Sequence, residues 1–263
     1  MRREDALWYD QLYDGIANRG YALRARMATV LRLAGSGPGD ALDVGMGPGR
    51  LCSELDRVGW TISGVDTSNE MIELARCRLP RASAHLLRAS ADELPFDDDS
   101  FDLVTAIGVL EYAGVPRALH ELSRVLRPGG RAILSYPVRG SLYSSWKTRV
   151  YYPAARSAKR VLGYEGRPQN AGAPVVAPQR LCELLVDVGL APKRVVPTCY
   201  LALPSPLDEL MPTAQEWLGR RLESHRVASR RFATQLVVET TGLEDPLTFD
   251  HASRGELAVR EVL

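Results

Sequence analysis

Three carboxylates, Asp43, Asp66 and Asp92, each follow an apolar run, and the first opens the turn LDVGMGPGRL at residues 42–51. Glycines at 45, 47 and 49 permit tight backbone geometry there and let a ligand approach the main chain closely. Their spacing is G-x-G-x-G followed by Arg50, whereas dinucleotide-binding turns are spaced G-x-G-x-x-G. No G-K-[ST] follows, so a phosphate-cradling P-loop is excluded. Asp43 stands two residues ahead of the first glycine. A carboxylate there repels a pyrophosphate and attracts a cationic amino group. The turn therefore points to a ligand that carries positive charge at this end.

Two downstream acids extend the pattern. GVDTS (64–68) places Asp66, with Thr67 beside it, at the end of a second apolar run, where a carboxylate can accept from both ribose hydroxyls. NAD-binding sheets share such an acid, so alone it decides little. ASADELPFDDDSFDLV (89–104) then places Asp92 beside Ala91 and the apolar Leu94-Pro95-Phe96, positioned to accept from an adenine amino group. The order acid–glycines, acid, acid–apolar fits S-adenosylmethionine, which offers an ammonium, a sulfonium, a ribose and an adenine but no phosphate. The glycine spacing and Asp43 disfavour an NAD-dependent oxidoreductase.

The elements that must hold these residues follow from periodicity. From residue 41 short apolar runs alternate with amphipathic stretches, as in βαβ units of a parallel sheet. Strands are expected at 41–45, 61–66, 84–90, 101–109 and 131–137, with a closing pair at 193–203 and 231–240. Helices are expected at 49–59, 68–79, 115–126 and 178–188, with Ser68 or Asn69 as N-cap of the second and Pro128-Gly129-Gly130 stopping the third. The expected fold is α/β: a Rossmann-like, doubly wound, mostly parallel seven-stranded sheet with helical lid insertions, in a single domain over 1–263. A helical cap (4–34), a basic aromatic insert (138–176) and a helical insertion (207–229) flank the cofactor-binding core at 41–137. Such additions usually cover the carboxyl ends of the strands, where ligands bind.

LDVGMGPGRL, GVDTSNEMIELAR, ADELPFDDDSFDLVTAIGVLEY and ELSRVLRPGGRAILSYP together resemble the class I S-adenosylmethionine-dependent methyltransferases. The flavour is that of the small-molecule branch that includes ubiquinone and menaquinone biosynthesis enzymes. The resemblance implies that Asp43, Gly45, Met46 and Gly47 position the methionine part of the cofactor. It implies that Asp66 and Thr67 meet the ribose, that Met71, Ala91 and Asp92 meet the adenine, and that Ile107 and Gly108 face the transferring methyl. Two departures stand out. Met46 and Pro48 replace a small residue and Thr, and the fourth strand ends LEY, with Tyr112 where relatives often carry His.

Methyl transfer from a sulfonium is an in-line displacement that orientation and water exclusion can drive, and a base is needed only when the nucleophile carries a proton. Tyr112 and His225 are the candidates for that role; His85, His120 and His251 read as structural or surface residues. Tyr9, Tyr13, Glu111, Tyr143 and Trp146 are the candidate substrate contacts, and Arg19, Arg24 or Arg26 can pair with the cofactor carboxylate. Residues 139–167 carry seven basic side chains against Glu165 alone, with five aromatics, and Pro153 is expected to split them into two short helices. This stretch reads as a lid for an apolar or acidic substrate, a membrane-surface contact, or a solvated basic face. Net charge is +1, which argues against a nucleic-acid partner. No apolar run approaches the ~18 residues of a membrane span. Four scattered cysteines read as free thiols in a reducing cytoplasm, with no metal site. The expectation is a cytoplasmic methyltransferase that acts on an O or N (or C) of a small, acidic or aromatic molecule. The alternatives are a membrane-surface enzyme acting on lipid or prenyl substrates and a non-catalytic S-adenosylmethionine-binding protein. The oligomeric state is left open.

Overall fold

A computed structural model describes residues 3–15, 18–79, 85–138, 141–154, 178–204, 207–224 and 232–242. Two helices, α1 (Arg3–Gln11) and α2 (Asn18–Ala34), lead into β1 (Asp40–Val44), α3 (Arg50–Arg57), β2 (Thr61–Asp66), α4 (Asn69–Arg78) and β3 (His85–Arg88). Next come β4 (Phe101–Ala106), α5 (Val115–Arg124), β5 (Leu126–Pro137), α6 (Leu142–Trp146), α7 (Pro178–Asp187) and β6 (Leu190–Tyr200). The short α8 (Leu207–Leu210), then α9 (Pro212–Ser224) and β7 (Ala233–Gly242), complete the described chain.

The seven strands form one sheet in the order β3-β2-β1-β4-β5-β7-β6. The first five are parallel and β7 runs antiparallel between β5 and β6. The strand order reverses between β1 and β4, and at such a switch point loops part and leave a crevice at the carboxyl edge. Period-two alternation fills both faces. Ala41, Leu103 and Ile133 point into a cluster with Val30 and Leu33 of α2 and Leu51 and Leu55 of α3. Their neighbours Leu42, Val104 and Leu134 point the other way, onto Leu119 and Leu122 of α5 and Leu181 and Leu185 of α7.

Several element bounds differ from those expected. β5 begins at Leu126 and runs through Pro128-Gly129-Gly130, because its pairing with β4 slips between Phe101↔Leu126 and Leu103↔Arg131. A bulge of that kind absorbs residues that a regular ladder would reject. The closing strands span 190–200 and 233–242 instead of 193–203 and 231–240. The 4–34 cap is two helices separated by a turn at residues 12–14. Among the described residues the helix runs through Pro153, and the part of the insert beyond residue 154 lies outside them. A π-helical turn at Lys147–Tyr151 comes before Pro153, in which the Tyr152 N–H reaches back five residues to the Lys147 carbonyl. Residues 152–154 then continue as helix, so the proline, which has no N–H to give, enters after the widened turn.

Candidate functional site

The turn after β1 lies in the crevice at the switch point. Gly45 sits at φ 70°, and a Cβ there would run into the Val109 side chain, so both conformation and space require glycine. Met46 lines the first hollow and also packs into the core, with its sulfur over Gly64 of β2; a side chain at Gly64 would collide with it. The unusual methionine is therefore a packing partner of a bare position on the next strand. Gly49 closes the turn in the left-handed region ahead of α3.

Asp43 is 3% exposed. Its carboxylate accepts hydrogen bonds from Thr105 Oγ1 at 2.7 Å and from Cys52 Sγ at 3.4 Å. Burial pushes this carboxyl up to about 6, against the pull of those two donors. Asp66, at the end of β2, accepts from the Gly47 N–H at 2.9 Å and from the Ser68 N–H at 2.8 Å. One carboxylate thus fixes both the glycine turn and the start of α4. Ser68 caps that helix, taking the Met71 N–H at 3.4 Å, and Met71 is buried in its first turn. Thr67 lends its carbonyl to Arg88 at 3.1 Å.

Asp92 accepts the Gly114 N–H at 3.1 Å, which ties the loop after β3 to the start of α5. Ala91 beside it is buried. The far end of α5 staples the same loop. Glu121 accepts from the Leu94 N–H at 2.8 Å, while Arg124 donates to the Leu94 and Phe96 carbonyls. The Arg124 guanidinium holds the Glu121 carboxyl down to about 2. After β4, Gly108 sits at φ 72° with its N–H on Ser135 Oγ at 2.8 Å, and a Cβ there would lie 3.2 Å from the Arg26 guanidinium. A bare backbone therefore makes room for an arginine.

Two hollows open at this edge. The first is lined by Asp43, Gly45, Gly47 and Ile107 from the sheet side and by Tyr9, Tyr13 and Arg26 from α1, α2 and the turn between them. The second, about 260 Å³, adjoins it through Tyr9, Leu23 and Arg26 and extends to Cys199, Thr234 and Gln235 at the ends of β6 and β7. Of the three arginines considered for a carboxylate, Arg24 is engaged with the Tyr13 and Gly15 carbonyls and Glu216. The Arg19 side chain lies outside the described residues. Arg26 lines both hollows, and its buried Nε has no partner among the described residues.

Sequence reasoning missed how α1 is held. Asp10 accepts from Arg50 Nε at 2.6 Å and from Arg78 Nη2 at 2.9 Å, and Asp14 takes the other edge of Arg50 at 2.6–2.8 Å. Arg50 also stacks 5.0 Å from the Tyr13 ring centroid, and Arg78 donates to the Pro48 carbonyl. Burial would raise the Asp10 carboxyl, but the two arginines overrule it and hold it below the ordinary value. The signal was an i,i+4 acid pair on an aromatic helix, facing an arginine where a dinucleotide turn carries glycine.

The remaining candidates lie elsewhere. Tyr112 is 79% exposed, and Glu111 is half-buried with its carboxyl raised by burial and lowered by Arg26. Tyr143 donates to Asp208 at 2.6 Å and accepts from Lys147 at 3.0 Å, which joins the basic insert to α8. Trp146 is exposed. None of these four lines either hollow. His225 and His251, like most of the basic insert (139–140 and 155–176), lie outside the described residues.

Residues 42–134, from β1 into β5, match the family described as "Methyltransferase domain". The chain is 36% identical over 135 residues to a 2-phytyl-1,4-naphtoquinone methyltransferase of Nostoc sp., covering 48% of this chain and 58% of that protein. It is 34% identical over 188 residues to Methyltransferase GfsG of Streptomyces halstedii, covering 66% of this chain and 63% of that one. It spans 40% to 63% of the length of the curated relatives it matches. In fold it is similar to a SAM-dependent methyltransferase of Thermotoga maritima, described as a possible histamine N-methyltransferase. That likeness has a TM-score of 0.60 at 20% identity and covers 91% of this chain and 97% of the other. The architecture is the Rossmann-like methyltransferase fold.

Proposed function

We propose that this chain transfers a methyl group from S-adenosylmethionine to an O or N nucleophile of a small organic molecule. The observation that carries the reading is that the first hollow holds both a buried carboxylate, Asp43, and a guanidinium, Arg26, with an unpartnered nitrogen. The methionine end of this cofactor is a zwitterion, and a carboxylate with an arginine across one small hollow complements it. Asp43 would repel a pyrophosphate in this hollow. When bound, the cofactor supplies a methyl on a positively charged sulfur.

The chain's own residues bind and orient. Asp43 attracts the ammonium and Arg26 the carboxylate. Asp66, whose oxygens each keep a free lone pair after accepting one backbone N–H, takes the ribose hydroxyls, with Thr67 beside it. Asp92 and Ala91 meet the adenine edge, and Met71 its face. Tyr9 and Tyr13 close over the turn from α1 and exclude water, while Ile107 and Gly108 leave the approach to the methyl open. Positioning of this kind supplies most of the acceleration that such a displacement needs. Tyr112 and Glu111, just beyond this approach, are the groups placed to meet an arriving acceptor. The relatives named for naphthoquinones support a ring compound as that acceptor.

Asp66→Ala tests the assignment. S-adenosylhomocysteine affinity, read by calorimetry, should fall at least a hundredfold, because the ribose contact and the brace on Gly47 go together. An unchanged affinity would refute the ribose role.

A further inference from the structure

The second hollow shares Tyr9, Leu23 and Arg26 with the first and is closed by the ends of β6 and β7, which have no part in holding the glycine turn. Cys199, next to the last residue of β6, sits at φ 58°, a backbone conformation that a non-glycine residue keeps only where neighbours impose it. They do so here. The Cys199 carbonyl accepts from Thr234 Oγ1 at 2.8 Å, and its thiol donates to the Ala22 carbonyl at 3.1 Å. Burial pushes that thiol up to about 11, so it stays a neutral donor. These bonds stitch the ends of β6 and β7 to α2 around the cavity.

The lining is chiefly apolar and aromatic: Trp8, Tyr9, Leu12 and Leu23. Against it stands Gln235, whose buried amide oxygen has no hydrogen-bond partner among the described residues. A buried, unmet acceptor is unfavourable unless a ligand meets it. The guanidinium on the shared wall, Arg26, is assigned above to the cofactor carboxylate, so Gln235 is the polar group left to read a second molecule.

We infer that this hollow is the methyl-acceptor pocket and that it takes a flat, uncharged aromatic molecule whose hydroxyl donates to the Gln235 amide. The inference rests on the methyltransferase reading, since it is the shared wall at Tyr9, Leu23 and Arg26 that brings such a molecule beside the cofactor. A volume of about 260 Å³ admits a two-ring compound. Gln235 is thus a specificity-determining residue: a molecule of the same shape that cannot donate leaves its oxygen unmet and binds more weakly.

The test uses the full chain saturated with S-adenosylhomocysteine, titrated with 2-naphthol and with 2-methoxynaphthalene, which has the same rings and no donor. The wild type should bind 2-naphthol at least fivefold tighter, and Gln235→Leu should abolish the difference. Ala22→Phe, which fills the second hollow from a position that does not itself line the first, should lose both naphthalenes and keep S-adenosylhomocysteine. Equal affinities in the wild type, a preference that survives Gln235→Leu, or naphthol binding that survives Ala22→Phe would each overturn the inference. Failure of both naphthalenes to bind the S-adenosylhomocysteine complex would overturn it too, while leaving the cofactor reading standing. Failure of S-adenosylhomocysteine itself to bind would instead remove the methyltransferase reading on which it rests.

Discussion

Asp43 is a carboxylate held where ionisation is unfavourable, and its surroundings show what offsets that. Its folded pKa of about 6 lies above the ordinary 3.8, so the folded state favours the protonated form. The stability that this preference contributes is full below pH 4 and is lost as pH rises through 6. At pH 8 the ionised group costs about 3 kcal/mol, from roughly two pH units at 1.36 kcal/mol each. Asp43→Asn should therefore raise the melting temperature relative to wild type more at pH 8 than at pH 4, measured by differential scanning calorimetry. A pH-independent difference would contradict the burial account. A cationic ligand prefers the ionised form, so wild-type affinity for S-adenosylhomocysteine should decline as pH drops below 6, and the Asn variant should lose that pH dependence. At this scale the sequence was legible in the acids gathered at the turn: Asp43 lines the first hollow and Asp66 braces Gly47. It was silent on Thr105, Cys52 and Ser135, whose roles depend on which strands become neighbours, and on Met46, whose role depends on Gly64 of the adjacent strand.

α1 buries Ala6 alone among its residues and depends on its clasp. Arg50 and Asp10 are about one-fifth exposed, so their ion pair is worth more than a fully solvated one and is still screened by salt. Arg50→Ala should free the helix that carries Tyr9 and the turn that carries Tyr13. Release of S-adenosylhomocysteine should quicken and affinity should fall about five- to thirtyfold, the equivalent of roughly 1–2 kcal/mol. Stopped-flow release at low and high salt checks this: wild type should approach the variant as salt rises, and identical kinetics at low salt would exclude the clasp. Since Asp10 is held below the ordinary carboxylate value, its contribution is present at neutral pH and is lost as pH falls below about 4. Strongly periodic elements were legible, α3 and α5 above all, because their apolar stripes must face the sheet. The start of β5 and the π-turn before Pro153 were not, because pairing with β4 and a widened hydrogen-bond ring override local chain-breaking residues.

Across the whole molecule, the parallel half of the sheet carries the cofactor hollow, and the antiparallel pair β6–β7 carries the second one. The two meet at α2, which packs on the sheet through Val30 and Leu33 and presents Arg26 to both hollows. This division was half visible in sequence. The glycine turn and its acids lie within one continuous stretch, whereas the second hollow gathers residues from 8 to 235 that no local pattern links. Among the described residues no helix is long and apolar enough to cross a membrane. Ligand binding should stabilise the fold as a unit: at a hundred times its dissociation constant, S-adenosylhomocysteine adds about 2.7 kcal/mol, or roughly 5–10 °C in melting temperature. A shift confined to a minor early transition would show instead that the hollow and the core unfold separately.

The central claim is that the turn at 42–51 selects a cationic, phosphate-free cofactor. Isothermal titration of the full chain with S-adenosylhomocysteine and, separately, with NAD tests it most directly. The account predicts one-to-one binding of S-adenosylhomocysteine, weakened strongly in Asp66→Ala, and no heat from NAD. Binding of NAD with none of S-adenosylhomocysteine would contradict it.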